Sequence, residues 1–243
     1  MWKDDLRGVF YITLKDLRAY YFKPPNISWG ILFPFAFVFA FALRSKTDLQ
    51  SLLPGLLGLT ILFGTSSMEA IVIVFERRTG SFERLMLAPV SLPAVLFGKM
   101  LGGMVFGLTV TSVVLAVGLI VFGVAGINWF LLILALLLSA ATFSTMGAFI
   151  SVAVQEIFEA QTLANFIRFP MMFLGGVFIP LEAMAPGFQV VARLLPLTYA
   201  VEALRTILEG LDSSRACMDL GVLLGFTILF FTLAARLLAR RIA

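Results

Sequence analysis

The sequence predicts an all-α membrane protein: six transmembrane helices, an N-terminal amphipathic interfacial helix, and short re-entrant or interfacial helices before the last span. Three observations carry this. Apolar residues make up 60% of the chain and charged residues 13%, with a mean hydropathy of +1.03, whereas a soluble domain carries about a quarter of its residues charged. Apolar stretches recur at lengths near the ~20 residues that a helix needs to cross a bilayer core. Lysine and arginine are distributed unevenly between the connections, as topology requires.

Residues 1–26 hold Lys3, Arg7, Lys15, Arg18 and Lys23 without a small-residue cleavage site, so a cleavable signal peptide is not expected. Leu6, Phe10, Leu14, Leu17 and Tyr21 recur at helical spacing, which suits a helix lying in the membrane interface. Pro24-Pro25 is expected to break it. Spans are predicted at 27–43, 52–75, 93–122, 129–154, 160–180 and 216–238. The third is longer than a crossing needs, so tilt or a protruding end is expected.

With the N-terminus inside, the inner segments hold thirteen Lys and Arg and the outer segments five, which places both termini in the cytoplasm. The whole chain, 1–243, reads as one transmembrane domain. Residues 1–26 form the interfacial helix, and 27–180 the first five spans with a cytoplasmic loop at 76–92. Residues 181–215 form extracellular short helices, and 216–243 the sixth span and tail. Within 181–215, Phe188–Leu195 and Tyr199–Glu209 are too short to cross. They read as re-entrant or interfacial helices or as an ordinary loop with surface helices, with Thr198 as an N-cap and Gly210 after the second piece.

Much chemistry is excluded. Gly98-Lys99 lacks the upstream Gly and following Ser/Thr of a phosphate loop. Without histidine, Ser/His and Cys/His catalytic sets cannot form, and with the single Cys217 the usual zinc ligand sets cannot be assembled. The net charge of +4 is too small and scattered to suggest nucleic acid.

The chain is organised around the charged island from Phe75 to Pro89, which falls between two apolar runs on the basic side. Thr79-Gly80-Ser81 is a turn, and Ser81 to Leu87 are helix formers stopped by Pro89. Phe82, Leu85 and Met86 share one face, so an apolar knob is expected to project from a collar of Glu76, Arg77, Arg78, Glu83 and Arg84. The island reads either as a loop anchored to headgroups or as a helix that docks onto a soluble partner.

Glu69 lies seven residues before Glu76, about 10 Å deeper on a helix, where an unpaired acid costs about 2.5–3.5 kcal/mol or more. It reads as a polar point on a substrate path or as a structural hydrogen-bonding group, with Arg168 and Asn165 as candidate partners. Gly98/Gly102, Gly103/Gly107 and Gly221/Gly225 have the GxxxG spacing of close helix packing.

The island Glu76-Arg77-Arg78-Thr79-Gly80-Ser81-Phe82-Glu83-Arg84-Leu85 with Ala88-Pro89-Val90-Ser91, and the late segment Gly176-Val177-Phe178-Ile179-Pro180 leading to Leu195-Pro196-Leu197-Thr198-Tyr199-Ala200-Val201-Glu202-Ala203-Leu204-Arg205, resemble those of ABC-2 type exporter permeases. The resemblance covers nearly the whole chain. It implies a permease subunit without enzymatic activity of its own, acting as a homodimer with two ABC ATPase subunits that bind MgATP; this chain would hold no cofactor. Glu76, Arg77, Arg78, Gly80, Phe82, Glu83, Leu85 and Met86 would belong to the coupling helix inserted into the ATPase, with Glu156 and Glu159 in a second, smaller contact. Ser66, Glu69, Asn165, Phe173 and Phe178 would lie along the substrate path at the dimer seam. The expected substrate is lipophilic or lipid-like, exported across the cytoplasmic membrane. The other readings are a lipid-linked glycan exporter and a haem-handling assembly subunit that binds without transporting. An ion channel lacks polar pore rings, and an intramembrane enzyme lacks catalytic groups.

Overall fold

The computed structural model describes residues 2–28, 32, 36, 49–123 and 126–242, and every regular element among them is helical. Most of the first predicted span (27–43) lies outside the described residues. α1 (Trp2–Asp16) runs into a π turn at Leu17–Tyr21. The helix is interrupted at Phe22–Lys23, and Pro24-Pro25 open the next helical turn at 24–28 instead of ending the previous one. Proline fits there because the first helical residues have no intrahelical use for their N–H groups.

α2 (Leu53–Arg78) is the central post, buried along most of its length against α4 (Leu92–Phe122), α5 (Trp129–Ala153), α6 (Ile157–Leu174) and α8 (Pro196–Leu208). α3 (Ser81–Met86) follows α2 through a turn at Thr79-Gly80, where Gly80 takes the left-handed φ of 68° that glycine adopts without steric cost. α4 spans 31 residues, about 46 Å at 1.5 Å per residue, and so exceeds a ~30 Å hydrocarbon core. α5 starts at Asn128, whose side chain accepts from Leu131 N–H at 3.2 Å as an N-cap does. α7 (Pro186–Ala192) and α9 (Ser213–Ile242) complete the chain.

Among the described residues four helices, α2, α4, α5 and α9, are long and apolar enough to cross a membrane. α6 has 18 residues and carries Glu159, Asn165 and Arg168, so its composition sets it apart from those four. It continues through Pro170 and stops before Gly175-Gly176, short of the predicted boundary at 180, because two glycines in succession remove the support for another turn. Arg205 on α8 donates to the Gly176 carbonyl at 2.9 Å and holds that exit.

The glycine pairs on α4 resolve into two packing stripes. Gly98 and Gly102 face α1: a Cβ on Gly98 would lie 3.1 Å from Ile12 Cβ and Val9 O, and one on Gly102 would lie 3.2 Å from the Tyr21 ring. Gly103 and Gly107 face α2, where a Cβ on Gly107 would meet Thr65 Cγ2 at 2.2 Å and Thr65 N at 3.0 Å. Gly221 and Gly225 on α9 meet nothing within 4 Å, so that pair packs against no helix among the described residues.

Short-segment capping differs from expectation at one point. Thr198 is not the N-cap of α8, which is Leu195; its hydroxyl donates to the Ala192 carbonyl at 2.6 Å and ties α8 to α7. Gly210 does follow the α8 C-cap, with φ 67°. Leu211 N–H reaches Thr206 O at 2.9 Å and Gly210 N–H reaches Ile207 O at 3.4 Å, the Schellman pattern. α8 is mostly buried and α7 mostly exposed.

Candidate functional site

The charged island forms a helical reversal at the end of α2, but its apolar face points inward. Phe82 is 3% exposed, packed in a cluster with Ile12 of α1, Ile73 of α2, Leu96 and Met100 of α4, Ala148 and Val152 of α5, and Ala234 and Leu238 of α9. Leu85 and Met86 are partly buried against the same cluster. The projecting knob expected from the sequence is therefore an anchor. What α3 presents outward is Ser81, Glu83, Arg84 and the following Leu87, which is 87% exposed.

Glu76 also leaves the collar. It is fully buried and pairs with both Lys15 of α1 and Lys99 of α4. Lys99, equally buried, reaches Asp16 at 3.2 Å, and Lys15 reaches Asp16 at 2.9 Å. Four charges summing to zero thus join α1, α2 and α4 at the α3 end of the bundle. Removal of charges from water is tolerated only with such pairing. Lys15 also lies over the Tyr20 ring at 5.9 Å, and burial, with the Glu76 carboxylate nearby, pushes the Tyr20 phenol up to about 12. The sequence does not signal Asp16 and Lys99 as a pair because 83 residues separate them. The available signal was Lys99 itself, a lysine inside an apolar helical run.

The second contact region is tied to the first. Arg78 forms an ion pair with Glu156 and donates from Nε to the Gln155 carbonyl at 3.4 Å. Glu159 accepts from the Gln155 and Glu156 N–H groups at 3.2 and 3.3 Å. With Glu156 it forms the capping box of α6, so its carboxylate is occupied with starting that helix. Arg77 is partly buried, and its Nη1 has no hydrogen-bond partner among the described residues.

The residues assigned to a substrate path separate into two places. Ser66 and Glu69 are fully buried within the chain. Ser66 donates to Leu62 O at 2.5 Å, and Glu69 sits among Gly103, Gly147 and Ser144 while accepting from the Tyr21 hydroxyl. Among the described residues Glu69 is thus paired with Tyr21 of the π turn after α1, not with Arg168 or Asn165. Arg168 instead donates to Ser67 Oγ, to Asn165 Oδ1 at 3.1 Å and to Ala164 O at 3.1 Å, with its guanidinium 5.2 Å over the Phe63 ring. Phe173 is 61% exposed and contacts Phe178 at 6.1 Å between ring centroids. It continues an exposed phenylalanine face of α6 with Phe158, Phe166 and Phe169.

Comparison with known proteins agrees with this architecture. The chain is 26% identical over 192 residues to the inner membrane transport permease YadH of Escherichia coli K12, covering 79% of this chain and 75% of that protein. It is 24% identical over 185 residues to nodulation protein J of Rhizobium leguminosarum bv. trifolii (73% and 68% covered). It is 27% identical over 205 residues to the putative transport permease ycf38 of Cyanophora paradoxa (75% and 68% covered). The ABC-2 type transporter family matches residues 7–208. That match runs from the first turns of α1 to the last residue of α8, and the chain belongs to the ABC-2 type transporter family.

Proposed function

We propose that the chain is the permease subunit of an ATP-driven exporter of a lipophilic or lipid-like substrate. It works in the inner membrane as a homodimer with two ABC ATPase subunits, and its termini are cytoplasmic. In the six-span topology the fifth span is α6; the first, 27–43, lies mostly outside the described residues. α3 is the coupling helix, and residues 155–161 form the second contact with the ATPase. MgATP is bound by the partner, and this chain supplies the path. α2 and α6 line the seam between two copies, with Phe173 and Phe178 at its outer gate.

The observation that carries this reading is the construction of α3. A six-residue helix is fixed at its root by buried Phe82 while Glu83, Arg84 and Leu87 face outward. An exposed leucine one turn beyond Glu83 and Arg84, on a stub anchored by Phe82, offers a partner an apolar contact beside a polar rim. The test is co-purification with the cognate ATPase, followed by ATP-dependent accumulation of a lipophilic dye in inverted vesicles. Leu87→Asp is expected to reduce both retained ATPase and dye uptake. Full retention with unchanged uptake would remove α3 from the coupling role.

A further inference from the structure

A cavity of about 610 Å³ opens beside α3, between the ends of α2 and α9. Its rim carries three guanidinium groups, Arg77, Arg78 and Arg241, and its floor is apolar, made by Phe82, Met86 and Leu238. The charges are not balanced from within. Glu156 pairs with Arg78, and Glu83 is the one acid among the lining residues. Arg241 is spent on backbone carbonyls, those of Ala153 at 2.6 Å and Val154 at 3.0 Å. Arg77 has a buried Nη1 with no partner among the described residues.

A partly desolvated guanidinium left unpaired is unfavourable, and a planar fork of donors is matched by a carboxylate. We propose that this cavity receives an acidic side chain, Asp or Glu, carried with an apolar neighbour on a segment of the ATPase subunit. The acid would take Arg77 as its bidentate partner, and the apolar neighbour would cover Met86 and Leu238. The proposal rests on α3 being the element that the ATPase grips. Three features favour a protein carboxylate over a single small anion. The cavity is far larger than one ion, its floor is apolar, and it is continuous with the outward face of α3 through Glu83.

The experiment uses the intact permease co-expressed with its cognate ATPase. In an Arg77→Glu/Arg241→Glu variant the ATPase retained on purification should fall at least tenfold, and in Arg77→Lys, which keeps the charge but loses the bidentate fork, it should fall less and leave complex to isolate. The Arg77→Lys complex is then treated with a water-soluble carbodiimide, which links a lysine amine only to a carboxylate in direct contact. A crosslink from residue 77 to an Asp or Glu of the ATPase is the expected product. A crosslink to Glu83 alone would overturn the proposal. So would retention of the ATPase by the double variant accompanied by loss of bound anionic lipid, since the cavity would then hold a headgroup. If the unaltered permease retains no ATPase, the coupling role of α3 fails as well. If it retains the enzyme and residue 77 does not crosslink to it, only the cavity assignment fails.

Discussion

Replacing Lys99 by methionine tests whether the four-charge cluster holds the α3 end together. Lys99, Glu76 and Asp16 are 0–1% exposed at their side chains, whereas Lys15 is 44% exposed. Solvent therefore screens the pairs made by Lys15, and Lys99 is the cation on which the buried carboxylates depend. Lys99→Met keeps the length of the side chain but leaves a net charge of −1 in the cluster, with Glu76 facing only a half-exposed lysine. Breaking a buried pair by removing one partner costs about 3–5 kcal/mol. At roughly 2–4 °C per kcal/mol for a chain of this size, the detergent-solubilised protein should melt about 6–20 °C lower. Adding Glu76→Gln restores neutrality, since Lys15 and Asp16 still pair at 2.9 Å, and should recover at least half of that loss. The assay is thermal unfolding of the purified permease for the two single variants and the double. A Lys99→Met protein melting within ~2 °C of the parent by the same scaling would refute the reasoning. So would a double variant whose loss is the sum of the two singles.

Three further outcomes follow from the packing. Phe82→Ala should cost about 3–5 kcal/mol as a buried aromatic deletion and should raise amide exchange in α3 far more than in α5, read by hydrogen exchange. Gly107→Ala should destabilise by about 1–3 kcal/mol through overpacking; Thr65→Ser, which removes the methyl 2.2 Å from the new Cβ but leaves the backbone at 3.0 Å, should relieve it in part. Tyr21→Phe should cost about 1–3 kcal/mol by removing the hydroxyl donor to buried Glu69, measured by thermal unfolding.

The long helices were legible because hydropathy and length decide them. α2, α4, α5 and α9 begin or end within a few residues of the apolar runs at 52–75, 93–122, 129–154 and 216–238. The two short helices before α9 were legible from the prolines and Gly210 that bound them. What could not be read was which face of a short element turns inward. Phe82 and Leu87 lie five residues apart on helix formers of similar character, and only the cluster around Ile73 and Leu238 decides that the first is buried. The partner of Glu69 was illegible for a related reason. Tyr21 was read as part of an interfacial apolar face, yet Leu6 and Phe10 of that face are exposed while Tyr21 is buried against α4. The π turn at Leu17–Tyr21 alters the helical phase between them, and an even 3.6-residue spacing does not anticipate that.

The buried anchors decide how α3 can move. Phe82 contributes to one apolar cluster with α1, α2, α4, α5 and α9, and Glu76, six residues earlier, is fixed by charge to α1 and α4. Rotating α3 alone would expose Phe82, and drawing α2 away from its neighbours would strand Glu76 unpaired. Both costs are several kcal/mol, a large fraction of the stability of a folded domain. A push on Glu83, Arg84 or Leu87 is therefore cheapest when α1 and the near ends of α2 and α4 shift together as one body. Side chains of α1 also tie it to the backbone of α4 and its N-cap: Thr13 donates to the Gly98 carbonyl at 2.8 Å, and Asp5 accepts from Ser91 N–H at 2.7 Å. In such a shift α1 would travel with the near ends of α2 and α4. Loosening α1, for example with Asp5→Ala and Thr13→Val, should leave the α2–α4 packing intact while weakening the link between ATP hydrolysis and dye uptake. Coupling efficiency equal to that of the parent in this variant would show that α1 is a passive anchor.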